Sequence, residues 1–247
     1  MNIGIYGNSI CEWNRVQDFS FIKKLEDFYS ANIIHTGTTM CSEERILFDL
    51  KKTKNLDLAI IFHAKARWIY IPSWHRDIES LDRYTIIKKI HSFPGYSEGY
   101  TFDNNEGESS ILAARRWYQD YIGETKFKDS KLSPEELLEA LLLNKKYMFS
   151  FELQCNRFCG ALVQIDQYLN FKQIPVVHCL SEKEFHPEWF NFSSGVVNHN
   201  ITEIRKIPEY KSGFDLSCNG VNAAGNDLIF NQLVPLIDAA RSKVVIR

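Results

Sequence analysis

Three short segments carry the groups best able to do chemistry: "YGNSIC" (6–11), "HTGTT" (35–39) and "FHAKAR" (62–67). They hold a hydroxyl at Ser9, imidazoles at His35 and His63, and a glycine N–H at Gly37. Each follows an apolar run of strand length, and in open parallel sheets ligands bind beyond the carboxyl ends of the strands. Each residue also has a plain structural reading. Ser9 suits a helix cap, Gly37 a turn with positive φ, and His63 a hydrogen-bonded residue that closes an apolar strand. His178, inside "IPVVHCL" (174–180), reads as a buried side chain.

Other chemistries lack their residues. The six cysteines, at 11, 41, 155, 159, 179 and 218, form no C-x-x-C, and their spacing fits neither a zinc site nor a disulfide scaffold. They read as small buried apolar residues in a reducing compartment, so no metal is expected. The first strand is followed only by "GIYGNS" (4–9) in place of a G-x-G-x-x-G, and no Gly-Lys-Ser/Thr precedes a helix. Dinucleotide and P-loop sites are thereby excluded, and no cofactor is expected.

Parallel strands and covering helices must position these groups. "NIGIYG" (2–7), "ANIIH" (31–35), "LDLAIIFHA" (56–64) and "IPVVHCL" (174–180) read as strands. Val16, Phe19, Ile22, Leu25 and Phe28 form a helical stripe over 15–29. Ser42 opens a second helix with Ile46, Leu47 and Leu50 inward and Lys51, Lys52 and Lys54 at its end. Helices are expected over 76–91, from about Ser110 to Tyr121, from Ser133 to about Phe171, and from near Asn222 to about Arg241 with Pro235 as a possible kink. Residues 93–108 read as an exposed loop, and "RWIYIPSW" (67–74) as a core edge strand or a contact surface.

This alternation predicts one α/β domain over 1–247: a three-layer α/β/α, flavodoxin-like fold on a parallel sheet of about five strands, elaborated over 67–130. With strand order 2-1-3-4, His35 and His63 would lie at the same sheet edge as Ser9. The balance of 29 Lys+Arg against 31 Asp+Glu excludes binding to nucleic acid by bulk positive charge. No apolar run reaches membrane-spanning length, and no secretion signal is read, so a cytoplasmic protein is expected.

The strand ends also support a resemblance. Gly7-Asn8-Ser9 resembles the Gly-Asp-Ser opening block of the SGNH or GDSL-type hydrolases, with Asn8 in place of the usual Asp. "TGTT" (36–39) resembles that family's glycine block, and "GVNAAGNDLIFNQLVPLI" (220–237) its final block. The resemblance implies an ester or acetyl hydrolase, with Ser9 as nucleophile and the Gly37 N–H as oxyanion donor, acting on a small-molecule or carbohydrate ester.

The departures matter equally. Matching Asn222, Gly225 and Asn226 to the final block puts Gly220 at the catalytic His position and Ser217 at the Asp position. His63-Ala64-Lys65-Ala66 replaces the block that usually supplies a second oxyanion donor. A serine hydroxyl is a weak nucleophile without a base, so activity would need His63 or His35 as a substitute. Otherwise the chain is a catalytically inactive relative that binds a ligand, a protein partner or its own copies. The pattern resembles phage-encoded members of the superfamily, for which a virion component or a protein of the host cytoplasm is one concrete form.

Overall fold

The computed structural model describes residues 1–7, 10–11, 18–37, 42–63, 68–69, 93–94, 151–180, 190–210 and 221–245. In chain order the elements are β1 (Asn2–Gly7), α1 (Phe21–Tyr29), β2 (Asn32–Thr36), α2 (Glu43–Lys52), β3 (Leu58–Phe62), β4 (Trp68–Ile69), β5 (Phe93–Pro94), α3 (Phe151–Lys172), β6 (Val176–Cys179), β7 (Val196–Asn198) and α4 (Ala223–Val245). Two 3₁₀ helices, Ile201–Lys206 and Pro208–Tyr210, follow β7.

Five strands form one parallel sheet in the order β2-β1-β3-β6-β7. The chain steps from β1 outward to β2, then crosses to the other side of β1 for β3. The ends of β1 and β3 thus form the topological switch point, the usual ligand crevice of open α/β sheets. The order β2-β1-β3-β6 is the 2-1-3-4 order under which His35 and His63 are expected at one sheet edge. The fifth strand, β7, is only three residues long and has no clear sequence signature.

Alternation along the central strands builds two cores. Ile3, Ile5, Leu58, Ile60, Phe62, Val177 and Cys179 face α1 and α4, packing on Phe21, Ile22, Leu25, Ile229, Leu233 and Ile237. Tyr6, Ala59, Ile61 and Val176 face α2 and α3, packing on Ile46, Leu47, Leu50, Ile165 and Leu169. Strand side chains alternate between faces, so two apolar faces require two helical layers, which makes the fold a three-layer α/β/α sandwich. Cys11, Cys155, Cys159 and Cys179 are buried thiols, and burial raises the pKa of Cys155, Cys159 and Cys179. Cys41 and Cys218 lie outside the described residues.

Local signals set the helix ends. Ser20 Oγ accepts from Lys23 N at 3.1 Å to start α1, and Ser42 Oγ accepts from Arg45 N at 3.3 Å to start α2. Glu43 and Glu44 occupy the first turn of α2, and Lys51 and Lys52 its last, matching the helix dipole. Asn222 Oδ1 accepts from Gly225 N at 2.9 Å, so "NAAGN" is a capped helix start. Pro235 lies inside α4.

Two readings of the middle of the chain change. Trp68–Ile69 pairs antiparallel with Phe93–Pro94 in a separate two-stranded ladder, so it is no edge of the main sheet, and Phe93–Pro94 is strand where a loop is expected. The helices expected over 76–91 and 110–121, and the start at Ser133, lie outside the described residues.

Asn226 joins the start of α1 to the start of α4. It is fully buried. Its Oδ1 accepts from Phe21 N at 2.9 Å, and its Nδ2 donates to the carbonyls of Val221 and Asn222 at 2.8 and 3.0 Å. Truncation leaves the Phe21 N–H and the Val221 carbonyl without this partner. Asn226→Ala should therefore cost about 1–3 kcal/mol. The expected result is a lower urea midpoint with an unchanged m-value.

Candidate functional site

Both histidines of the central strands fall on the α2/α3 side. His178 follows Val176 by two residues in β6, and His63 follows Ile61 by two, just past β3. His178 pairs in register with Ile61, so the imidazoles are diagonal neighbours on one face at the carboxyl end of the sheet. His63 N donates to Cys179 O at 3.0 Å, which carries the β3–β6 ladder one step beyond the strand.

The helices over this face supply two acids. Glu43 is the first residue of α2, where the positive end of the helix dipole favours a carboxylate, and it is 1% exposed. Asp166 sits on the inward face of α3, beside Ile165 and one turn from Leu162 and Leu169. The turn into β7 brings in Ser193 and Ser194. Gly195 follows at φ +62, with the place of a Cβ only 1.9 Å from the Val176 carbonyl oxygen, so a side chain would strain this turn.

These groups form one continuous hydrogen-bonded chain. His63 Nδ1 lies 3.1 and 3.2 Å from the two Glu43 oxygens. His63 Nε2 lies 2.9 Å from His178 Nδ1, and His178 Nε2 lies 3.1 Å from Ser194 Oγ. Ser194 Oγ and N donate to Asp166 Oδ1 at 2.5 and 2.8 Å. Ser193 Oγ and N donate to Asp166 Oδ2 at 2.6 and 3.1 Å. Phe192 stacks on His178 with ring centroids 3.8 Å apart, and Phe190 packs edge-on against Phe192.

The electrostatics follow from this burial. His178 is pushed well below its ordinary value of 6.5, first by desolvation and then by the charge of His63, so it is neutral. Burial opposes ionisation of Asp166, but the donors from Ser193 and Ser194 outweigh it and hold the carboxyl below its ordinary range. Asp166 is therefore a carboxylate, and the Ser194 hydroxyl proton points at it. That orientation, with the burial of Ser194, removes Ser194 from consideration as a nucleophile.

Gly7 closes β1 at φ +134 and Gly37 follows β2; a Cβ on Gly37 would meet the Gly7 carbonyl oxygen at 2.5 Å. The ends of β1 and β2 therefore touch backbone to backbone, a close approach open only to glycine. Gly7 pairs with Phe62, so His63 stands beside the end of β1. His35 pairs with Gly4, three residues before that end. Asn8, Ser9, Ser217 and Gly220 lie outside the described residues. Both nitrogens of His63 are engaged, so any role as base toward Ser9 would require one of those bonds to open.

Sequence reasoning missed Glu43, His178, Ser194 and Asp166 as a unit. A usable signal existed for two of them: His178 shares a face with His63 once the strands are in register, and Asp166 interrupts an otherwise apolar helical stripe. Among the described residues no cluster of three or more His, Cys, Asp or Glu could hold a metal ion, and no helix is long and apolar enough to cross a membrane.

The pH dependence follows in sign. His178 is neutral when folded, and its unfolded counterpart takes up a proton below 6.5. Its contribution is full above that value and is lost as pH falls, by up to about 1.4 kcal/mol per pH unit. Asp166 adds a loss of the same sign further into acid, below its unfolded value of 3.8. Urea midpoints should fall on acidification from about pH 6.5, and His178→Phe should flatten the first part of that fall. A wild-type midpoint that holds level there would contradict the neutral assignment.

No protein-family model matches the chain, and no curated protein or solved structure is significantly similar to it.

Proposed function

We propose that the chain is a divergent SGNH-like domain that binds a ligand at the β1–β3 switch point and does not hydrolyse it. One observation carries this reading. Glu43 and His178 occupy both nitrogens of His63, the imidazole beside the end of β1. Neither nitrogen of His63 is then free to serve as the base that a serine nucleophile needs, and acylation through His63 is lost. The β1–β3 switch point, where open α/β sheets usually hold their ligands, would still suit a small polar ligand such as a carbohydrate.

A second reading keeps the hydrolase, with Ser9 as nucleophile, Gly37 N–H as oxyanion donor, and His35 or a rearranged His63 as base. The direct packing of Gly37 on Gly7 favours it, because the family's first two blocks must converge at one rim. A fluorophosphonate probe and a panel of activated acyl esters separate the two. The binding reading expects no adduct on Ser9 and equal, background turnover for wild type and Ser9→Ala. Covalent labelling of Ser9 that disappears in Ser9→Ala would replace it with the hydrolase.

A further inference from the structure

The buried chain from Glu43 to Asp166 lends itself to a proton count. It has four links: Glu43–His63, His63–His178, His178–Ser194 and Ser194–Asp166. Each link needs one hydrogen. With both acids ionised and both imidazoles neutral, the two rings and the serine hydroxyl supply only three. A chain with every link made therefore holds one proton more than those states provide.

Asp166 decides where that proton rests. As a carboxylate it takes the Ser194 hydroxyl hydrogen, so Ser194 Oγ must accept from His178 Nε2–H. His178 Nδ1 must then accept from His63 Nε2–H. His63 Nδ1 faces the two Glu43 oxygens and needs a hydrogen of its own. Nδ1 lies almost equally far from both Glu43 oxygens, at 3.1 and 3.2 Å, the arrangement of a ring N–H shared by a carboxylate, so the excess proton sits on His63.

We propose that Glu43–His63–His178–Ser194–Asp166 is a buried proton relay that stores one excess proton at its Glu43–His63 end and can hand its charge to Asp166 without moving a heavy atom. In the transfer three hydrogens each cross one link. The hydrogen on His63 Nε2 passes to His178 Nδ1, that on His178 Nε2 to Ser194 Oγ, and that on Ser194 Oγ to Asp166 Oδ1. Three N–H or O–H bonds break and three form, His63 ends neutral with its proton on Nδ1, and Asp166 ends as the acid. The Asp166 end reaches the surface through exposed Ser193, whose hydroxyl also accepts from Asn170 Nδ2 at 2.5 Å. The other end lies beside the β1–β3 switch point. The relay therefore joins the exposed turn before β7 to the rim of the sheet. It stands independently of whether that rim binds or hydrolyses.

Long-range proton–nitrogen correlation spectra of the histidine side chains test this on the full chain. Wild type should show His178 neutral with its proton on Nε2 and His63 protonated on both nitrogens. In Glu43→Gln, which keeps the shape, the glutamine N–H supplies the fourth hydrogen. His63 should then lose one proton and become the neutral Nε2–H form, with a large downfield shift of Nδ1, while His178 is unchanged. In Asp166→Asn the amide can donate to Ser194 Oγ, and both rings should switch to Nδ1–H. A neutral His63 already present in wild type, or a wild-type His178 protonated on Nδ1, would overturn the relay. The wild-type and Glu43→Gln spectra decide the matter even if Asp166→Asn fails to fold.

Discussion

Two imidazoles hydrogen-bonded to each other inside a protein must each be held to one tautomer, or the pair is left with two donors or two lone pairs face to face. Asp166 supplies that constraint. Four donors from two consecutive serines fix it as a carboxylate, and its demand for hydrogens sets the direction of every bond back to Glu43. In a medium of low dielectric each bond gains strength from its neighbours, and any unmade bond is correspondingly costly. The network thus ties α3, the turn into β7, β6, β3 and the start of α2 to a single arrangement at the carboxyl end of the sheet.

The same constraint bears on what the rim of the sheet can do. A three-layer α/β/α fold is compatible with many unrelated chemistries, so function has to be argued from the site. Here the backbone at the rim is shaped by Gly7 and Gly37: a side chain on Gly37 would meet Gly7, and one on Gly7 would meet Phe62. The imidazole at that rim serves an internal network. Its partners are buried acid and buried imidazole, and this commitment is what turns the reading from turnover toward binding.

The main sheet was legible because its strands are continuous apolar runs with glycine or histidine at their ends. The caps at Ser42 and Asn222 were legible because they depend on local chemistry alone. β7 was not, since three residues after a Ser-Ser-Gly turn carry neither length nor periodicity. The network was hidden for a different reason. Whether His63 meets His178 depends on the register of β3 against β6, and whether Asp166 meets Ser194 depends on how α3 lies across the sheet. Local patterns do not encode those relations. His178 looked like a side chain merely enclosed by apolar neighbours, and its enclosure is what makes its polar contacts decisive.

The contact between Asn226 and Phe21 spans 205 positions. During synthesis the amide at the head of α1 leaves the ribosome well before its acceptor does. Until then the Phe21 N–H lacks its side-chain acceptor, and the apolar face that α4 will cover stays open to other chains. Over that stretch of elongation part of one sheet face is unsealed, and chaperone occupancy would then bear on yield.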